Sequence, residues 1–181
     1  CIVVGNYSEQ LLDSLPSVRS NAYHPVREVL SQMAAKGCRR IAFVSEDREN
    51  FAGQELLHHF QLVLTELGMN PAEAPVIWGR GAFTGITAEL RPLLDQPEVP
   101  FDGIFCPDYR LALEVCCLIS ARYGFDAERQ MTLGSFQRGN AYRLPISGCS
   151  VDARWSSRAE TALRQLVELI ESGKVPQSVC V

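Results

Sequence analysis

The hydrophobic pattern changes period repeatedly along the chain. Short continuous runs (CIVV, IAFV, PVIW, GIFC, MTLG) alternate with stretches in which apolar residues recur every three or four positions. In PVREVLSQMAAKG the apolar positions are 26, 29, 30, 33, 34 and 35, one helical face, with Pro25 in its first turn and Gly37 as its stop. QELLHHFQLVLTELG carries a stripe of Leu56, Leu57, Phe60, Val63, Leu64 and Leu67 and ends in Gly68. ITAELRPLLDQ reads as a helix strained by Pro92, and YRLALEVCCLISARYG as a helix closed by Gly124. ARWSSRAETALRQLVELIESG reads as a long helix stopped by Gly173. The segment between CIVV and Pro25 reads as a polar loop, and PISGCSV as an edge strand.

Strands that are apolar throughout, set between helices, indicate parallel strands buried on both faces. The expected fold class is therefore α/β, a doubly wound, mostly parallel sheet with helices on both faces. Ligands of such sheets bind outside the carboxyl ends of the strands. The residues just after each strand are thus the ones to watch: 45–51, 78–83, 107–110 and 135–140.

GCRRIA, CPDYRLALE, LGSF and LPISG stand in order along this framework. Their order and spacing resemble the effector-sensing domain of LacI/GalR-type bacterial transcription regulators, a fold shared with periplasmic sugar-binding proteins. In that family a G-H-R-R-I-A strand follows a helix, an A-N-D-x-x-A-L-G segment opens a later helix, and V-G-F-D and P-x-L-T-T come next. The resemblance runs from about residue 18 to 181. It implies three parts: 1–24 as the end of an N-terminal lobe and its crossover, 25–150 as a C-terminal sensor lobe of periplasmic-binding-protein type I, and 151–181 as a crossover helix and return strand. A DNA-reading head, either a LacI-type helix-turn-helix or a GntR-type winged helix, then lies upstream of this chain.

The family's binding positions fall on altered residues. Its Arg on the helix after the first sensor-lobe strand matches Gln54, the Asn of A-N-D matches Asp108, and the Asp after that matches Tyr109. The Asp of V-G-F-D matches Phe136, and a loop position that is often aromatic falls near Arg80. Phe51, Phe83 and Phe136 are candidate crevice walls. Asp108 has two readings that do not exclude each other, a helix N-cap worth about 1 kcal/mol and a ligand acceptor at the crevice. Arg80, between two glycines, suits an anionic ligand group if it faces the crevice.

Composition narrows the partners. The 181 residues are 46% hydrophobic and carry a net charge of −4 with scattered basic residues, so the chain lacks the electrostatic footprint of a nucleic-acid surface. DNA contact is expected only through another part of the parent protein. No apolar run approaches the roughly 18 residues of a membrane span. Seven cysteines at 1, 38, 106, 116, 117, 149 and 180 form no CxxC pair. Most lie in apolar runs, as reduced thiols of a cytoplasmic protein do. His58 and His59 are adjacent on a helix, so their side chains point about 100° apart and no metal is expected. No nucleophile elbow, phosphate loop or dinucleotide fingerprint is present, and neither an enzyme nor a cofactor is expected. CIVVG and VPQSVCV open and close the chain on apolar runs, as in a fragment of something longer.

The expected function is a small-molecule-sensing regulatory domain. Its effector is a sugar or sugar derivative, with an anionic one left open, and its expected assembly is a homodimer. The helices 26–35 and 51–67 are the candidates for its interface. Two other readings remain: a dimerisation module whose ligand site has decayed, and a periplasmic sugar-binding protein.

Overall fold

The computed structural model describes residues 2–4, 15–19, 21–46, 48–49, 51–79, 83–137, 148–152 and 155–181. They form two compact units, one from Tyr23–Ala153 and one from Cys1–Ala22 with Arg154–Val181.

The smaller unit holds β1 (Val3–Val4), β2 (Ser17–Arg19) and β8 (Val179–Cys180), paired in parallel in the order β1-β2-β8. Helix α6 (Trp155–Ser172) packs against β1 and β2. Strand β2 stands where the pattern indicated a polar loop. Three residues with one apolar member give no period to read, and their pairing is supplied from a distance. Ser17 donates its N–H to Ser178 Oγ at 3.1 Å, and Val181 N–H donates to Arg19 O at 2.9 Å.

The larger unit is a five-stranded parallel sheet in the order β4-β3-β5-β6-β7, and its all-parallel pairing bears out the expected fold class. Its strands are β3 (Ile41–Ser45), β4 (Val76–Trp78), β5 (Gly103–Phe105), β6 (Thr132–Gln137) and β7 (Cys149–Asp152). The helices are α1 (Tyr23–Ala35), α2 (Phe51–Glu66), α3 (Phe83–Leu94), α4 (Tyr109–Tyr123) and the four-residue α5 (Ala127–Gln130). Helix α1 starts two residues before Pro25, and α3 runs through Pro92 in its last turn, where the ring forfeits one intrahelical N–H bond.

Alternation along β3 sorts the core into two halves. Ile41 and Phe43 point to the face covered by α1 and α2, with Val29, Leu30 and Met33 from the first helix and Phe60, Val63 and Leu64 from the second. Ala42 and Val44 point to the other face, where α3 and α4 supply Ile86, Leu90, Val115 and Ile119. Phe43, Phe60, Phe105 and Phe136 form one aromatic cluster in the first half. Phe105 lies 6.0 Å from Phe60 in a stacked pair and 5.6 Å from Phe136 edge-on. Helix α1 approaches the sheet at two glycines: a Cβ on Gly134 would sit 2.5 Å from Met33 Sδ and 2.7 Å from Val29 Cγ1, and one on Gly103 2.9 Å from Met33 Cε.

At the amino ends of the strands, the Asp102 carboxylate accepts N–H bonds from Arg39 at 3.0 and 3.1 Å and from Arg40 at 3.0 Å, locking the entry of β5 to that of β3. At the outer seam of α1 and α2, Tyr23 Oη donates to both carboxylate oxygens of Glu66 at 2.7 and 2.8 Å. His59 meets the Tyr23 ring edge-on at 6.1 Å, and its Nδ1 is buried with no hydrogen bond. Burial pulls the His59 pKa below its usual 6.5; the Glu55 charge opposes this, and His58 adds to it. A depressed histidine pKa means that the fold favours the neutral ring, so stability is present above pH 6.5 and is lost as pH falls below it. His59→Gln is expected to flatten the slope of stability between about pH 7 and 5, the window below the free histidine value. Chemical denaturation at several pH values reads this, and an unchanged slope would refute it.

Candidate functional site

Strand β3 lies between β4 and β5, so the chain leaves it toward one edge of the sheet and later returns on its other side. The gap outside the carboxyl ends of β3 and β5 is therefore the topological switch point, the place where a doubly wound sheet leaves a crevice. Four short segments leave the sheet along this edge: Glu46 after β3, Gly79 after β4, Cys106 to Arg110 after β5, and the end of β6. Gly79 N–H donates to Ser45 O at 2.8 Å, and Cys106 N–H to Gly134 O at 2.8 Å, so the backbone of this edge is tied strand to strand.

Asp108 is the N-cap of α4. Its Oδ1 accepts from Arg110 N–H at 2.8 Å and Leu111 N–H at 3.2 Å. Arg110 Nε stands 3.5 Å from the same oxygen, and all three contacts fall on Oδ1. The Arg110 guanidinium reaches on to Glu46 Oε2 at 3.9 Å, joining the end of β3 to the end of β5. These side chains are 42% exposed for Glu46, 27% for Asp108 and 56% for Arg110, open enough to meet a ligand and too open for the ion pairs to be worth much by themselves. Beneath them lies Cys106, fully buried, its thiol held protonated by burial first and by the Asp108 charge second. A thiol in that state is no nucleophile. One layer out, Thr87 Oγ1 on α3 donates to Glu114 Oε1 on α4 at 2.6 Å.

The other residues singled out in the sequence have separate placements. Gln54 is exposed on α2 and donates from Nε2 to Arg48 O at 2.6 Å, which fastens the first turn of its helix to the segment before it. Phe51 is 42% exposed at the start of α2, and Tyr109 is half-buried at the start of α4. Phe136 is 9% exposed and packs against Phe105 in the core on the α1 and α2 side. Arg80 and the side chain of Phe83 lie outside the described residues. Glu46 and Arg110 stood within the strand-end segments but were not singled out. Their link is a contact between two strands that are far apart in sequence, and no local pattern carries it. Among the described residues no group of three His, Cys, Asp or Glu side chains is placed to hold a metal ion, and no helix is long and apolar enough to cross a membrane.

No family model and no curated protein matches the sequence. Solved structures do. The complex of the transcriptional regulator CelR with cellobiose superposes on 99% of this chain with a TM-score of 0.79 at 21% identity. The Escherichia coli transcriptional repressor ascG follows it over 99% with a TM-score of 0.76 at 15% identity, and a dimeric Lac repressor over 99% with 0.77 at 13%.

The fold is that of the LacI-type regulators.

The chain spans 54% of the CelR chain and 64% of each of the other two, roughly half to two thirds of their length. Within that fold, the charged trio Glu46, Asp108 and Arg110 lies on the edge that the sheet order alone marks as a switch point.

Proposed function

We propose that this chain is the effector-sensing portion of a transcription regulator, and that it binds a neutral, hydroxyl-rich small molecule at the carboxyl edge of its larger sheet. The observation that carries the reading is the switch-point trio: two carboxylates from neighbouring strand ends share one guanidinium, inside a fold whose solved neighbours include a regulator bound to cellobiose. Asp108 Oδ2, which takes no part in the cap, and the Glu46 carboxylate accept from hydroxyls, while Arg110 donates. Two acids against one base also disfavour an anionic effector at the described residues. Binding that prefers one arrangement of the protein over another by a few kcal/mol is all that a regulatory response requires. DNA is contacted through another part of the parent protein, two copies act together, and the site binds without catalysing.

The test is a thermal-shift screen of the chain with cellobiose, other neutral sugars, sugar acids and sugar phosphates. A neutral sugar at 100 times its dissociation constant is expected to add about 2.7 kcal/mol, a rise of several degrees. Asp108→Ala is expected to lose that response and, separately, about 1 kcal/mol of cap. Asp108→Ser keeps a capping oxygen and removes only the carboxylate, so it is expected to lose the ligand response with little loss of stability. A screen in which no compound shifts the midpoint sinks the sensing reading. The observation that Gln54 and Phe136 are committed to a helix turn and to the core then favours a dimerisation module with a decayed site.

A further inference from the structure

The chain has three histidines, and the fold gathers all three along one seam. His24 stands in the first turn of α1, while His58 and His59 lie near the middle of α2. Their rings are linked through Tyr23. The Tyr23 ring centroid is 5.4 Å from His24 and 6.1 Å from His59, and His59 is 5.7 Å from His58. Tyr23 also fastens the two helices through its paired bonds to Glu66, a carboxylate that Arg27 Nε of α1 approaches to 3.4 Å. The seam begins at the residue where the chain enters the larger unit.

His59 has the fewest options of the group. Its Nδ1 is buried with no hydrogen bond, and the Glu66 carboxylate is already taken up by Tyr23 and Arg27. The titratable and charged groups around it are Tyr23, His24 and Arg27 on α1, and Glu55, His58 and Glu66 on α2. A neutral imidazole tolerates this setting. An imidazolium carries an N–H on both ring nitrogens, so at Nδ1 it leaves a buried, charged donor without an acceptor. Water supplies that acceptor once the seam parts.

We propose that the α1–α2 seam is a proton-operated latch, in which a proton taken up by His59 parts Tyr23 from α2 while the core beneath stays packed. The direction follows from burial, which comes first in holding the His59 pKa below 6.5 in the closed seam; His58 adds to this and Glu55 opposes it. The latch is therefore closed above pH 6.5 and parts as the pH falls below that value. Met33 and Val29 keep α1 seated at Gly134 throughout, because their contacts involve no titrating group. This device is independent of the effector reading above.

Aromatic NMR of the chain between about pH 7.5 and 5 tests it, following the three histidine rings as they titrate. Cross-relaxation from the Tyr23 ring to His59 and to Glu66 is expected to fall at least about threefold, in step with the His59 titration. Cross-relaxation between Phe43 and Phe60, whose rings lie 5.3 Å apart in the core, stays as it was. In His59→Gln the Tyr23 ring is expected to remain against Glu66 over the whole range. Contacts of Tyr23 that are unchanged in the unsubstituted chain at the acid end overturn the proposal. A parallel loss at Phe43 and Phe60 does so too, since the chain would then be unfolding as a whole. If Tyr23 leaves Glu66 just as readily in His59→Gln, the carboxylate's own titration parts the seam, and the assignment to His59 fails.

Discussion

Phe105→Ala is expected to be among the most damaging single changes to this chain, lowering the stability of the larger unit by about 3–5 kcal/mol. Phe105 is fully buried and central to the aromatic cluster, with ring centroids 6.1 Å from Phe43, 6.0 Å from Phe60 and 5.6 Å from Phe136. Truncation removes the transfer free energy of a whole ring and also the edge-on and stacked contacts of three neighbours. The hole cannot close cheaply, because those neighbours stand on two strands and a helix whose spacing the sheet ladder sets. At about 2–4 °C per kcal/mol for a chain of this size, the thermal midpoint falls by roughly 10 °C. Phe105→Leu refills part of the volume and is expected to recover about half of the loss. If Phe105→Ala shifts the midpoint by only a degree or two, the cluster is looser than the ring distances imply.

The second large effect belongs to Gly134. A Cβ there would collide with Met33 Sδ and Val29 Cγ1 at 2.5 and 2.7 Å. Gly134→Val places two more methyl groups in the same space, so α1 must lift from the sheet or Met33 must leave its rotamer. Overpacking of this kind costs about 1–3 kcal/mol, and forced displacement of a helix brings the value to the upper end. Pairing it with Met33→Ala gives a direct check by a double-mutant cycle. Each single change destabilises, yet together they are expected to cost less than their sum, because the valine then occupies part of the space the methionine left. Strict additivity in urea denaturation would mean that the two sites do not press on each other.

Both effects rest on pairings between elements far apart in sequence, and they mark where sequence reading stops. The order of strands and helices was legible because it is written locally. A strand buried on both faces is apolar throughout, as in IAFV, and a helix with one buried face repeats every three or four residues, as in QELLHHFQLVLTELG. The helix stops were legible for the same reason: Gly68 and Gly173 follow the last periodic residues, and both adopt the left-handed backbone, at φ 73° and 67°. Strand β2 was not legible, since three residues carry no period and their partners are β1 and β8.

The candidate site divides in the same way. Asp108 could be placed from sequence because a capping residue is defined by its position just before a helix, and the structure shows it capping. That a ligand site belongs at the strand ends followed from the fold class alone. Which side chains meet there did not follow. Phe136 sits at a strand end like Asp108, but its position in the pleat turns it toward α1 and α2 and into the core. Glu46 and Arg110 meet only because β3 and β5 are neighbours in the sheet, although their ends at Ser45 and Phe105 lie far apart in the chain order that local patterns read. Sequence by itself determined the elements, their order and the edge on which a ligand site belongs, because period, caps and stops act within a few residues. Only the tertiary structure decided which charges face each other across the switch point, because strand order and pleat orientation are set by contacts that no single segment contains.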